Sequence, residues 1–370
     1  MSPRLPLQQQ LCHLLTDALS PALRCTTPAT LAAFAVGLTF AESVQLPAVA
    51  EATGLPGSRE ALALRFRRFL QHPDATRQVC WDPLLPHLLA AHAPTQPVLI
   101  LDLTHQADTF ISIVVALALG HRAVPLGWHV APGQTAWTEG FQPVVAELLS
   151  TIAAALPPDR TGAVTLLVDG GLASPFLLDQ CQRLGWHWVF RLAVMAQTTH
   201  LVRRSDGTEQ RIATWLPDPP EPGRRRRRRT RHAQGAIFKS AGWRAAWVTV
   251  HVDPDHAGPW VLISDLADGA SAVRRYRQRM QIEAMFADWK RRGWHLAQSR
   301  LRVPRRMAAL LIGVALAHWY LVVLGQRVVR SGERHRYDRR DARRLSLVRL
   351  GRLALAQRDR TGQRLPGWRW

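Results

Sequence analysis

Lysine is nearly missing from this chain of 370 residues. Lys239 and Lys290 are the only two, which leaves 46 arginines among 48 cationic side chains. The bland reading is a genome whose codon bias turns lysine into arginine. Its corollary is that a lysine kept against such a drift is a candidate for work that arginine cannot do. Cysteine is sparse as well. Cys12, Cys25, Cys80 and Cys181 lie far apart and form no Cys-x2-Cys pair, which argues against a zinc site or disulfide framework and fits a reducing cytosol. The N-terminal segment MSPRLPLQQQLCHLLTDAL has Gln, His and Asp where an export signal needs an apolar run, so no signal is expected. Long apolar runs are also scarce. Only residues 307–325, MAALLIGVALAHWYLVVLG, approach the roughly 20 residues of a membrane span. His318 falls inside that run and no second run of its length exists. A buried helix of a soluble core is therefore the expectation, with a membrane span as its rival.

Acidic residues are few: 27 Asp and Glu against 48 cations give a net charge of +21 and a pI near 11.5. Hydrophobic residues make up 47% of the chain, so it can bury a core and is no disordered basic tail. Length allows about two or three domains. The excess charge implies a polyanionic partner, with nucleic acid first and an anionic membrane surface second.

Residues 1–94 read as an all-α region. Within it, residues 46–70 have the pattern of a helix-turn-helix, with Gly54 at the turn and Ser58 as the cap of the second helix. Leu62, Phe66 and Phe69 form its expected buried stripe. Arg65 and Arg68 lie off that stripe, where they can meet DNA; the other reading is a helical hairpin with a solvated arginine face. Residues 95–192 change texture. Strands are expected over 97–104, 110–119 and 123–130, then a helix over 140–156, a strand over 163–171, a helix over 175–185 and a strand over 186–192. That order makes a mixed α/β sheet and suits a ribonuclease H-like core. Residues 193–267 read as a β-rich insertion. Its loop, residues 217–231, carries the run Arg224–Arg229, which either is solvated or tracks phosphates. Residues 268–325 return to helix, and 326–370 read as an arginine-rich, partly ordered extension.

Three acids stand out. Asp102 and Asp169 each end an apolar strand, LILD and TLLVD. An unpaired buried charge there is expensive, so such a position calls for a partner or a metal. The third is Glu283, in the pattern Tyr276-x2-Arg279-x3-Glu283-x6-Lys290. On a straight helix a step of seven residues returns to within about 20° of the same face, so Tyr276, Glu283 and Lys290 share a strip, with Arg279 beside it. Lys290 is one of the two surviving lysines.

This signature resembles the DDE transposases of the insertion-sequence-four type, whose third catalytic acid sits in such a Tyr-Arg-Glu-Lys helix. The resemblance covers roughly residues 95–325. It implies that Asp102, in Asp102-Leu103-Thr104, and Asp169 are the first and second acids. It also implies a ribonuclease H-like catalytic core interrupted by a β-rich insertion between the second and third acids. Three carboxylates can hold two divalent ions about 3.5–4 Å apart across a scissile phosphate. Oxygen ligands favour Mg²⁺, with Mn²⁺ as a substitute. Arg279 and Lys290 can then bind backbone phosphates beside the cut, and Tyr276 can donate a hydrogen bond there. The family often stacks a flipped base on an aromatic side chain. Trp243 and Trp247 are candidates for that role, with core packing as the competing reading. The resemblance further implies element-end and target DNA as partners, a homodimer on DNA, no membrane, and a cytoplasmic, nucleoid-associated setting. Its rivals are a non-catalytic, domesticated DNA-binding descendant and a nuclease without strand transfer.

Overall fold

A computed structural model describes residues 3–21, 26–106, 109–133, 141–193, 201–216, 228–256 and 258–368. Six helices come first: α1 (Arg4–Ala18), α2 (Thr26–Phe40), α3 (Leu46–Ala52), α4 (Arg59–Gln71), α5 (Arg77–Cys80) and α6 (Leu85–His92). Strands β1 (Val98–Gln106), β2 (Phe110–Leu119) and β3 (Arg122–Pro132) follow. Next come α7 (Phe141–Ala155), α8 (Pro158–Thr161), β4 (Thr165–Val168), α9 (Pro175–Leu184) and β5 (His187–Leu192). Five more strands are β6 (Leu201–Arg204), β7 (Glu209–Arg211), β8 (Arg229–Ile237), β9 (Arg244–Val252) and β10 (Trp260–Ser264). Four helices complete the order: α10 (Gly269–Tyr276), α11 (Met280–Ala287), α12 (Pro304–Arg330) and α13 (Leu347–Arg360). The chain divides into two units: residues 1–93, 103–157 and 281–370 in one, and residues 94–102 and 158–280 in the other.

The first unit is organised around α12. This helix is long and apolar enough to cross a membrane, but most of its apolar window is buried inside the protein. It packs on α2, β3 and α13. Small residues make the packing close. A Cβ on Gly325 would lie 2.0 Å from the Leu347 carbonyl oxygen, and one on Gly351 would lie 2.2 Å from that of Leu321. Gly325→Ala is therefore expected to force α13 away and lower stability by about 1–3 kcal/mol or more, read as a fall in thermal midpoint.

Residues 347–360 differ here from the expected partly ordered extension. Leu347, Val348, Leu350, Gly351, Ala354 and Leu355 are buried along one face of α13. The arginines between these positions masked the stripe in the sequence.

Strands β2 and β3 form a hairpin whose turn, Gly120-His121, has φ of 58° and 73°. Both values are positive, as a type I′ turn requires. Every residue of β2 is buried. Donors from neighbouring helices satisfy carbonyls of β3: Trp319 Nε1 reaches Pro125 O at 2.8 Å and Trp81 Nε1 reaches Leu126 O at 2.7 Å. His318 Nε2 lies 2.9 Å from Ala123 O and is fully buried. Burial, with Arg122 and Arg352 as lesser contributors, pushes the His318 pKa down to about 3. Its neutral form is the folded form, whereas the unfolded imidazole takes up a proton near pH 6.5. Stability from this group is present above about pH 6.5 and falls by about 1.4 kcal/mol per pH unit as pH drops towards about 3. His318→Gln is expected to flatten that part of the stability–pH profile, measured by denaturant melts at pH 5 and 7.

The N-terminal helices belong to the same unit. Gly54 takes φ 67°, and the Ser58 hydroxyl accepts from Ala61 N at 3.1 Å to cap α4. The buried face of α4 is Ala63, Phe66, Phe69 and Leu70, with Leu62 half-buried. Phe66 and Phe69 meet Phe34 of α2 at 5.1 and 6.1 Å.

The second unit holds a large mixed sheet in the order β1-β4-β5-β10-β9-β8-β6-β7. The first three strands are parallel, and β10 joins β5 antiparallel. The β-rich stretch is thus continuous with the β1-β4-β5 strands. Its polar face is paired within itself. Thr230 Oγ1 meets His251 Nδ1 and His232 Nδ1 meets Thr249 Oγ1, both at 2.8 Å. Strands β6 and β7 are short and polar, and no sequence pattern announces them.

The segment expected as one long helix over 268–293 is broken. A 3₁₀ turn over Arg277–Arg279 separates α10 from α11, and a π-turn over Asp288–Arg292 follows α11. The straight-helix geometry expected for the Tyr-Arg-Glu-Lys pattern is replaced by these changes of winding.

Candidate active site

Strand register brings the first two acids level. In the parallel pair, Val98 lies opposite Thr165 and Leu101 opposite Val168, so the next residues come level: Asp169 follows the end of β4, whereas Asp102, expected at a strand end, lies inside β1, which runs on to Gln106. Adjacent strands are about 4.8 Å apart. Two carboxylates at that spacing repel, and the chain answers with a cation. Arg279 Nη1 donates to Asp102 Oδ2 at 2.8 Å, and its Nη2 lies 3.2 Å from Asp169 Oδ2. The guanidinium side chain is 7% exposed, against 16% for Asp102 and 32% for Asp169.

Asp169 is held at its other oxygen too. Oδ1 accepts from the Tyr276 hydroxyl at 3.0 Å and from Gly170 N at 2.8 Å. Arg191 Nη1 stands 3.8 Å from the same atom. Burial pushes the Tyr276 phenol well above its ordinary pKa, so it stays protonated and donates. Trp260 meets its ring edge-on at 5.3 Å. Around this segment, Arg277 Nη2 bonds Asp253 Oδ2 at 2.6 Å, and Arg275 Nη2 bonds Gln96 Oε1 at 2.6 Å. The Asp255 amide, Arg277 and Arg228 hold the Asp253 pKa down to about 2, so it remains an anion that pins the 3₁₀ turn.

The second unit therefore brings together Asp102, Asp169, Tyr276 and Arg279. Glu283, exposed on α11, and Lys290, half-buried in the π-turn, belong to the first unit. Arg65 is half-buried and its Nε donates to Thr30 Oγ1 at 2.8 Å, tying α4 to α2. Arg68 is exposed. Trp243 and Trp247 are half-buried. Arg203 lies over the first ring at 5.0 Å, and His232 stacks on the second at 4.8 Å with planes 7° apart. Of the run Arg224–Arg229, residues 224–227 lie outside the described residues. Arg191 was missed in the sequence; its signal is a single guanidinium in the apolar strand HWVFRL.

Among the described residues, no group of three or more His, Cys, Asp or Glu side chains is arranged to hold a metal ion. The donor chemistry of the Asp102–Asp169 pair nevertheless fits a hard divalent cation. Both carboxylates already converge on one positive charge, supplied by Arg279.

Among known protein families, the one described as a transposase DDE domain has a model that matches residues 104–320, more than half of the chain. The matched stretch begins just beyond Asp102 and contains Asp169, Tyr276, Arg279, Glu283 and Lys290. A search of curated proteins finds no match.

Proposed function

The chain belongs to the transposase DDE-domain family, and from that premise we propose that it cuts the ends of an insertion sequence and joins them to target DNA. The finer type we propose is that of insertion sequence four, on the Tyr276-Arg279-Glu283-Lys290 pattern. The observation that carries the reading is the convergence of Asp102 and Asp169, level in register, on a single cation. The parallel β1-β4-β5 order supports a ribonuclease H-like core.

In this proposal Asp102, Asp169 and Glu283 hold Mg²⁺, or Mn²⁺ in its place, which when bound supplies the charge that activates the attacking oxygen and stabilises the leaving 3′-oxygen. The remaining work falls to the protein. Arg279 neutralises the aspartates before DNA arrives and keeps β1 and the end of β4 from splaying there. Tyr276 orients Asp169 by its hydroxyl hydrogen bond to Oδ1, while Oδ2 faces Arg279. Lys290 binds a phosphate beside the cut as a compact point charge on a flexible stem. Arg68 and the Arg224–Arg229 run bind DNA phosphates, and Trp243 and Trp247 offer rings on which an unstacked base can rest. A homodimer on DNA would place two such sites on the two element ends. The test is a Mg²⁺-dependent cleavage and joining assay on end DNA. Nicks that leave 3′-hydroxyls, followed by joined products, are expected; binding without any metal-dependent cut would favour a domesticated descendant.

A further inference from the structure

Between the π-turn and α12 the chain runs through a strap, residues 293–306, with an unusual charge. No acidic side chain occurs anywhere from Trp289 to Gly332. The strap is strained at two non-glycine positions, His295 at φ 54° and Arg300 at φ 55°. Such left-handed residues persist only where their surroundings hold them. Two anchors do so. Trp294 is fully buried and its Nε1 donates to Leu38 O at 2.8 Å. At the far end, Arg305 donates from Nη1 to His72 O at 2.9 Å and from Nη2 to Gln71 O at 2.7 Å. Those carbonyls close the C-terminus of α4, whose last acceptors have no partner within the helix. The strap is thereby fastened beside the end of α4.

What the anchors leave outside is uncompensated charge. Arg300 and Arg302 are exposed and Arg306 is half-buried, and no hydrogen bond or ion pair engages their side chains among the described residues. On α4, positions 61, 64, 68 and 71 follow helical steps of three and four and are all exposed, so the outward stripe runs straight to the docked Arg305. Arg68 lies in that stripe and Arg67 beside it, again with no acidic partner among the described residues, near a Leu64 that is 43% exposed. Cations with no internal partner, set on a rigid strap and an adjoining helix, suit a regular array of phosphates. The exposed leucine suits the apolar thymine methyl of a groove.

We propose that the strap arginines Arg300, Arg302 and Arg306, with Arg67 and Arg68 of α4, form one duplex-DNA face that follows the phosphate backbone. The inference rests on the reading of the chain as a DNA-acting transposase. It goes beyond that reading by giving the strap a substrate-tracking role.

The experiment measures binding of the full chain to a mixed-sequence duplex by fluorescence anisotropy across a salt series. The wild type should lose affinity steeply with salt. Each phosphate contact contributes about 0.9 to the log–log slope, so the triple variant R300A/R302A/R306A should lose about 2.7 of it. The triple lysine variant should keep the slope, because it keeps the charges. A control triple on the exposed C-terminal surface, R343A/R360A/R364A, should leave the slope nearly unchanged. Thermal melts of the strap variants should stay close to the wild type, since these side chains make no hydrogen bond or ion pair among the described residues. A steep wild-type slope that survives strap neutralisation overturns the strap proposal alone. Equal slope losses from both alanine triples also overturn it, because they indicate a diffuse charge effect. A wild type that does not bind the duplex overturns the DNA-acting reading itself.

Discussion

Arg279→Gln is expected to destabilise the protein and at the same time to make its stability respond to divalent ions. The guanidinium is the shared partner of Asp102 and Asp169, at 2.8 and 3.2 Å, and glutamine cannot supply its charge. Breaking a fully buried ion pair by removing one member costs about 3–5 kcal/mol. Here the cost should be smaller, about 2 kcal/mol, because the Asp169 side chain is 32% exposed and water screens part of the repulsion. Without the internal cation, the carboxylates are open to an external one. Adding Mn²⁺ or Mg²⁺ should raise the midpoint of the variant more than that of the wild type. A ligand at about 100 times its Kd stabilises by about 2.7 kcal/mol. Thermal melts in chelator and in Mn²⁺ read both effects. Equal metal responses in the two proteins would show that Arg279 does not occupy the cation position.

Glu283→Gln is expected to abolish cleavage while leaving end binding nearly intact. The proposed task of Glu283 is to hold metal, whereas binding is assigned to arginines of the strap, α4 and the Arg224–Arg229 run. Glutamine keeps the volume and removes the charge, and Glu283 is exposed on α11, so the fold should survive. The loss of rate should reach about 10³-fold, the upper end of the range of about 10²–10³ seen when one transition-state contact is removed. Lys290→Ala should impair later steps more than the first nick, because its assigned contact is to the terminal phosphate. Parallel gel shifts and cleavage assays separate these outcomes. Cleavage by the glutamine variant at the wild-type rate would remove Glu283 from the active site.

The two aspartates were legible in the sequence because an apolar run that stops on aspartate is a local pattern, although only Asp169 follows a strand end and Asp102 lies inside β1. Their adjacency was not local. It depends on the register that sets Leu101 opposite Val168. The Tyr-Arg-Glu-Lys spacing was legible as a pattern, but its geometry was not, since a 3₁₀ turn and a π-turn interrupt the winding that periodicity assumes. Arginine hid the most. Arg352 falls in the expected arginine-rich, partly ordered extension, yet it is 5% exposed, with its guanidinium over the Trp294 ring at 5.1 Å. Arg65, read as a DNA contact, also ties α4 to α2 through Thr30. In a chain with almost no lysine, arginine identity alone does not separate packed, paired and ligand-facing positions. Partners do, and those appear only in three dimensions.

The central claim is that Asp102, Asp169 and Glu283 share one metal centre. Affinity cleavage tests it most directly. Fe²⁺ replaces Mg²⁺ in the DNA-bound protein, and ascorbate with peroxide then releases radicals that cut the backbone next to the bound ion. The account predicts cuts clustered at three places, near residues 102, 169 and 283, all suppressed by excess Mg²⁺ and all lost together in Asp169→Asn. Cuts near 102 and 169 with none near 283 would contradict it.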